Sequence, residues 1–407
     1  MRSARHEVLP MRMLCGLTIV LALCPHGGCK REVPVEAPDA SLSKSNARRP
    51  SESEGRHEEP TEEVVDAYDE ALRLGDAALY SGRFEVARDQ FLKAMELRVD
   101  SMTPALGAIR ALALEGQSEA RLQIRERVEK KVSALLSNPE TAGSGWLLSA
   151  RLAIALRDTG RALDAARLAV AELPDMGVSW RVLGEAAMVA EQWDEAIRAF
   201  QVATAKGLEA EAGTMERLAD AFDEVGNLEA AETAAQSAVE MTGKDKHARR
   251  RRLNLLAVIR KRRGDLDGAE ESANAARLLG PDDPAVLHNL GSIAEARGRF
   301  EDALRLYGEA VSETPVPMTL WRMGHVELAL ERPEEALASF KRAAGNMDRW
   351  TWPASERWKP AYEVGRLYMR ASRWGDAIGW FEDSLREARS IEAVRELQGR
   401  LAFAKLQ

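Results

Sequence analysis

PAVLHNLGSIAEARGRFEDALRLYGEAVSETP, residues 284–315, reads as one complete helix-turn-helix unit. Leu287, Leu290, Gly291 and Ala294 fall at i, i+3, i+4 and i+7, which places them on one stripe of a helix. Gly298 ends that helix, and Phe300 opens a second in which Ala303, Tyr307 and Ala310 repeat the stripe until Pro315 stops it. Gly291 and Ala303 lack bulk where the two helices would come closest, so the pair can close around Leu287, Tyr307 and Phe300. One such pair cannot bury its stripe alone and needs a copy of itself on either side.

The copies are present. Trp180, Leu183, Gly184, Ala187, Trp193, Ala196, Phe200 and Ala203, within 177–210, keep the same offsets from one another. Others lie at 68–101 (Gly75, Ala87, Phe91, Ala94), 212–245 (Leu218, Gly226, Ala231, Ala238) and 250–283 (Leu256, Gly264, Ala269, Pro281). Two more follow at 317–350 (Gly324, Ala336, Phe340, Ala343) and 358–390 (Gly365, Tyr368, Ala377, Phe381). Two stretches are degenerate. In 143–176, Trp146 and Pro174 fit but Gly160 comes about one turn late; 102–142 is too long for one unit and shows only helix periodicity.

A period of about 34 residues with Trp-x2-Leu-Gly-x2-Tyr, then Ala-x3-Phe and Pro, resembles the tetratricopeptide repeat (TPR) family. The resemblance implies an all-α fold, an α-solenoid in which about nine repeats form a right-handed superhelix over 62–407. It also implies that the first helix of each repeat lines a concave groove. Ile391 to Gln407 would close the stack as a capping helix, with Val394, Leu397, Leu401 and Ala404 as its apolar stripe.

Residues 1–29 read as an export leader: Arg2, Arg5 and Arg12 are basic, Met13 to Leu23 is apolar, and Pro25-His26-Gly27-Gly28 precedes Cys29. The apolar run is too short to span a bilayer, which takes about 20 residues. Gly27-Gly28-Cys29 looks like the end of a bacterial lipobox, so Cys29 is a candidate for lipidation; His26 departs from the Leu preferred there, and ordinary cleavage near Gly28 is the alternative. Lys30 is not the Asp that retains lipoproteins at the inner membrane, which leans towards the outer one. The expected location is therefore the cell envelope, with the body facing the periplasm. Residues 30–61 are rich in Pro, Ser, Glu and Arg and nearly devoid of large apolar side chains, and read as a disordered tether.

All three cysteines, Cys15, Cys24 and Cys29, lie in the leader, so the body has no thiol for catalysis, metal binding or a disulfide. HExxH, GxSxG, GxxxxGK[ST] and GxGxxG are absent, and His57, His247, His288 and His325 are not at metal-ligand spacing. The reading is a non-catalytic protein without cofactor or metal. With 57 basic against 65 acidic residues, a general nucleic-acid surface is not expected.

Two places stand out for binding. Arg251, Lys261 and Arg262 fall at groove positions beside an acidic repeat carrying Glu216, Asp220, Asp223 and Glu224; they either pair with it or dock a charged partner. Near the C-terminus the repeat frame puts Trp321 and His325, then Lys359, Tyr362, Arg366, Met369 and Arg370, along the groove. Trp374 takes the core position of Phe300 and Trp193, and Trp358 falls at the junction before the last repeat. An insertion at Gly345–Arg357 adds Arg349, Trp350, Trp352 and Pro353. Aromatic and basic side chains interleaved on one wall suit an extended peptide with acidic or aromatic residues, and also a glycan; Trp350 and Trp352 could instead cover a widened gap between helices. The partners implied are envelope proteins or their extended segments, with a membrane reached through the lipid anchor. A module for cell-wall glycan or exported polysaccharide is the second reading.

Overall fold

A computed structural model of the protein describes residues 62–98, 101–114, 118–208, 211–312, 315–347 and 355–407. The leader, Cys29, the tether, and Arg349, Trp350, Trp352 and Pro353 lie outside the described residues. The described chain is all-α, with no strand. Nineteen α-helices follow one another as nine successive pairs and a last single helix. Contacts divide the chain between Ala221 and Phe222 into two compact units.

The first unit holds α1 (Glu62–Tyr80), α2 (Phe84–Leu97), α3 (Thr103–Leu114), α4 (Ser118–Leu136), α5 (Ala142–Leu156), α6 (Thr159–Glu172), α7 (Gly177–Val189) and α8 (Trp193–Ala203). A π-helical turn, Thr204–Leu208, extends α8, and α9 (Ala212–Glu224) runs into the division. The second unit holds α10 (Leu228–Glu240), α11 (Lys246–Arg263), α12 (Leu266–Leu279), α13 (Pro284–Ala296), α14 (Phe300–Ala310), α15 (Pro317–Ala329) and α16 (Pro333–Ala344). It ends with α17 (Lys359–Arg370), α18 (Trp374–Glu387) and α19 (Ile391–Lys405). The odd-numbered helix of each pair is called leading and the even-numbered one trailing.

Local chemistry sets the helix ends. Asp283 caps α13 by accepting from the amides of Ala285 and Val286, with Pro284 at the first turn. Asp245 caps α11, Asp265 caps α12, and Ser390 caps α19 in the same way. Between leading and trailing helix the chain passes through the left-handed region. Glycine supplies it at Gly82, Gly226, Gly264 and Gly298, while Arg157, Glu191, Glu331 and Ser372 adopt it at a modest steric cost. Gly160, the expected late turn of the 143–176 repeat, lies inside α6 with open space around it; Arg157, with φ of 58°, makes that turn.

The core repeats one contact. A trailing-helix aromatic ring presses on a leading-helix glycine so closely that an added Cβ would lie about 2.7 Å from it: Phe91 on Gly75, Phe200 on Gly184, Tyr307 on Gly291, Phe381 on Gly365. Phe340 meets Gly324 likewise, at 2.6 Å. In the first unit Phe91 also touches Gly107 of α3, so this glycine serves the preceding hairpin. The α3–α4 hairpin packs Leu112, Ile124 and Val128 with Leu148 of α5, all fully buried, which is why 102–142 has helix periodicity without the repeat motif. In the second unit α19 buries Ala393, Leu397 and Ala404, with Val394 and Leu401 packed at the edge. Trp193, Phe300 and Trp374, expected as core, are only half-buried because each is the first residue of its trailing helix, at the rim of the contact. Trp374 rests edge-on against Phe403 of α19.

Candidate functional site: the leading-helix face of the second unit

Side chains expected to line a groove lie on α11, α13, α15 and α17, and several of them are bound to a neighbouring element. Arg262 donates to Asp223, a carboxylate that is only 5% exposed. Burial pushes the Asp223 carboxyl pKa up, and Arg262 offsets this only in part. Pairing with the acidic repeat is thus realised at Arg262. Lys261 donates to Ser292 of α13, and Arg251 stands exposed near the start of α11. The rest of the basic cluster is engaged too: Arg250 with Asp283 at 2.9 Å, Arg260 with Glu232 at 2.9 Å, and Arg263 with the same carboxylate at 2.7 Å.

The ladder continues up the unit. Asn289 donates to Asn254 at 2.8 Å, and His288 Nδ1 lies 2.9 Å from Thr319 Oγ1. Tyr307 donates its hydroxyl to Glu295 at 2.7 Å, and Arg322 reaches the same carboxylate at 3.4 Å. Burial, aided by the cations Arg322 and Lys261, pushes the His288 pKa down to about 3. His325 is pushed down to about 4 by burial, with Arg322 and Arg366 acting in the same direction. Both rings are neutral at pH 7. His325 sits edge-on to Trp321 at 4.4 Å and to Phe340 at 5.1 Å, and its Nε2 is buried without a hydrogen-bond partner. Among the described residues no group of three or more His, Cys, Asp or Glu is arranged to hold a metal ion.

Trp321 and Tyr362, expected as groove contacts, are 9% and 8% exposed and belong to the core of the last hairpins. At Tyr362 the next leading helix contributes: α19 brings Glu396 to the Tyr362 hydroxyl, which donates to it. Burial and this carboxylate push the Tyr362 pKa up to about 12. Trp358 packs edge-on to Tyr362 at 5.3 Å, at the junction expected of it. Lys359 pairs with Glu356 at 2.7 Å, Arg366 pairs with Glu363 at 3.0 Å, and Arg370 is exposed at the end of α17.

The open surface here is a cleft of about 560 Å³ between α17 and α19, lined by Met369, Arg395, Glu396, Gly399, Arg400 and Phe403. Of these, the repeat frame places only Met369 along the groove. A signal for the others was present: Phe403 is a large apolar residue off the Val394-Leu397-Leu401-Ala404 stripe, with Arg395 and Arg400 on the same helix. Phe403 does not serve the lid's buried face, and with Trp374 resting against one edge it is still 51% exposed.

Residues 254–316 and 322–390 match the tetratricopeptide repeat family. Among solved structures, yeast Tom70 is similar at 16% identity over 85% of this chain and 90% of that chain, with a TM-score of 0.50. A tetratricopeptide repeat protein from Parabacteroides merdae is similar at 13% identity over 65% of this chain and 98% of that one, with a TM-score of 0.49. The first of these likenesses supports the repeat fold and nothing finer. No curated protein matches by sequence.

Proposed function

We propose that this protein is a non-catalytic interaction scaffold of the bacterial cell envelope, exported and lipid-anchored at Cys29, that binds extended segments of other proteins. Tetratricopeptide repeats at 254–316 and 322–390 support the scaffold class. The observation that carries the binding site is the cleft between α17 and α19. Met369 and Phe403 offer apolar surface beside Arg395 and Arg400, which suits a segment with an apolar side chain next to an acidic one. Arg370 adds a further cation at the end of α17. His288 and His325 are neutral and tied into the packing, which supports a role without acid–base chemistry. The basic n-region, the apolar run and the Gly27-Gly28-Cys29 ending support export and anchoring.

The test is a crosslinking pull-down from envelope extract that compares the parent with a Met369→Ala, Arg400→Ala, Phe403→Ala variant of unchanged helical circular dichroism. A partner lost only in the variant supports the cleft; an unchanged set of partners sinks it. Retention on insoluble peptidoglycan, lost in the same variant, would favour the glycan-binding reading instead. Cys29→Ser tests the anchor, which predicts a shift from the membrane to the soluble fraction.

A further inference from the structure

Gly399 of α19 stands 34 residues, one repeat, after Gly365 of α17. Gly365 lies under the Phe381 ring, where an added Cβ would meet it at 2.7 Å, but nothing lies within 4 Å of the corresponding point on Gly399. The same difference runs along the helix. Ala361, Val364 and Tyr368 are buried on α17, and their equivalents one repeat later, Arg395, Gln398 and Ala402, are exposed. The reason is the pairing: α17 is covered by its trailing helix α18, whereas α19 is the single helix that follows the nine pairs. Gly308 and Gly379 are as open as Gly399, but they lie on trailing helices, away from the position that a ring covers.

This open face keeps apolar character at its ends. Ile391 is 72% exposed and Leu406 83%, and with Gly399 and Ala402 they fall at i, i+8, i+11 and i+15, on one stripe of the helix. Arg395 and Gln398 interrupt the stripe and keep it soluble while it is uncovered. The hairpins themselves define what would cover it. Each ring seated on a leading-helix glycine has an alanine four residues before it, as Ala303 precedes Tyr307, Ala336 precedes Phe340 and Ala377 precedes Phe381, all wholly buried or nearly so. The incoming helix also brings charge: Glu387, in the last turn of α18, lies 3.3 Å from Arg357 just before α17. Ile391 is the equivalent of Arg357, and Arg395 stands one helical turn further along the same face, so α19 offers a cation to the same end of a helix laid on it.

We propose that the open face of α19 docks an amphipathic helix of a partner protein, antiparallel to α19, which seats a Phe or Tyr ring on Gly399, carries alanine four residues before that ring, and sets a carboxylate near its C-terminal end against Arg395. The partner thereby completes one more hairpin and continues the α17–α18 interface by one period. The ring and the alanine supply the apolar contact, since glycine and alanine on α19 let the two helices approach closely. Arg395 fixes the direction, because a reversed helix would bring its other end there. The C-terminal cleft lies on the adjoining flank of α19, at Glu396, Arg400 and Phe403, and shares Arg395 and Gly399 with this face. The helix-docking face goes beyond the cleft's reading and does not rest on it, since the cleft takes extended chain against Met369 and Arg400.

The probe is the chain's own trailing helix, a fluorescein-labelled peptide RWGDAIGWFEDSLREAR with the sequence of residues 373–389, titrated with the full chain and followed by fluorescence anisotropy. The expected result is saturable binding that weakens about tenfold or more when the peptide carries Phe381→Ala or the chain carries Gly399→Leu. Gly399→Leu should melt no lower than the parent, because the space at Gly399 is open and leucine favours the helix, so its loss of binding is not a loss of fold. Arg395→Glu should weaken binding of the parent peptide and recover it with the Glu387→Lys peptide. Met369→Ala with Arg400→Ala should bind the peptide normally, so the cleft and this face stand or fall separately. Absence of saturable binding, equal binding of the Phe381→Ala peptide, or undiminished binding by Gly399→Leu would overturn the proposal; the last would show the peptide exchanging into an existing hairpin. So would sedimentation of the parent as a dimer that Gly399→Leu dissolves, which would give the face to a second copy of the chain.

Discussion

At the residue scale, a single packing relation, glycine under an aromatic ring, recurs through both units and sets the tolerance for change. A methyl group on Gly291 would meet the Tyr307 ring at 2.7 Å, and a fully buried ring cannot move aside. Gly291→Ala should therefore cost about 1–3 kcal/mol in chemical denaturation, despite the better helix propensity of alanine. Gly308 of α14 has nothing within 4 Å of its missing Cβ, and Gly308→Ala should be neutral or stabilising by up to about 1 kcal/mol. If the two substitutions behave alike, the close contact is not what holds the hairpin. Phe200, wholly buried against Gly184, should cost about 3–5 kcal/mol when replaced by alanine; a loss below about 1 kcal/mol would place the repeat frame wrongly there.

Glu327 supplies a pH-dependent case. It is 4% exposed, and burial pushes its carboxyl pKa above the unfolded value, with Ser339 opposing. A carboxyl whose folded pKa is raised contributes stability while protonated and loses it as pH climbs through that value. Glu327→Gln should thus raise the melting temperature at pH 7, and the gain should vanish below about pH 4, where the parent carries the proton in both states. A gain that persists unchanged at low pH would point to a cause other than ionisation.

At the scale of elements, the leading helices are joined by polar rungs as well as by apolar contact. Arg262 of α11 reaches back to the buried Asp223, Asn254 receives Asn289, and Tyr362 of α17 reaches forward to Glu396 of α19. Each rung fixes the register of one helix against another, because its two ends must meet within hydrogen-bonding distance. Arg262→Met would leave the Asp223 carboxylate buried without its cation and should cost about 1–3 kcal/mol at pH 7. The loss should shrink at low pH, because Asp223, whose pKa is already raised by burial, then takes a proton. A cost that is equal at pH 7 and pH 4 would show that apolar packing by the arginine stem, rather than its charge, is what matters.

At the scale of the whole chain, the described residues form separate apolar clusters rather than one centre. Phe91, Leu112, Ile124 and Leu148 belong to one cluster in the first unit, while Trp321, Phe340, Phe381 and Leu397 belong to another in the second. In a repeat architecture each hairpin is supported mainly by its immediate neighbours, so a local defect should stay local. Phe91→Ala should accelerate amide hydrogen exchange in α1 to α4 and leave α15 to α19 at the parent rate. A uniform rise along the chain would mean that the two units unfold as one.

Much of the fold was legible without coordinates because the repeat contact is local: Gly291 and Tyr307 lie in one hairpin, and their spacing alone says that a gap must face a ring. The same period, the turn glycines and the terminal stripe of α19 specified helix, turn and lid. Where the motif failed, at 102–142, helix pairing survived because aliphatic side chains filled the place of the ring, a substitution that the period cannot express. The turn at Arg157 carries no sequence signal for a related reason, since the left-handed conformation is only favoured by glycine and other residues can be forced into it by the helices on either side. The site was less legible. Trp321 and Tyr362 have the composition of binding residues, yet their exposure depends on what the next helix places over them. Arg262 with Asp223 and His288 with Thr319 are partners 39 and 31 residues apart. The sequence by itself determined the repeating hairpin, because its contacts close within one period. Only the tertiary structure decided which polar side chains remain open to a partner, because each is satisfied or left unmet by a residue on a different helix.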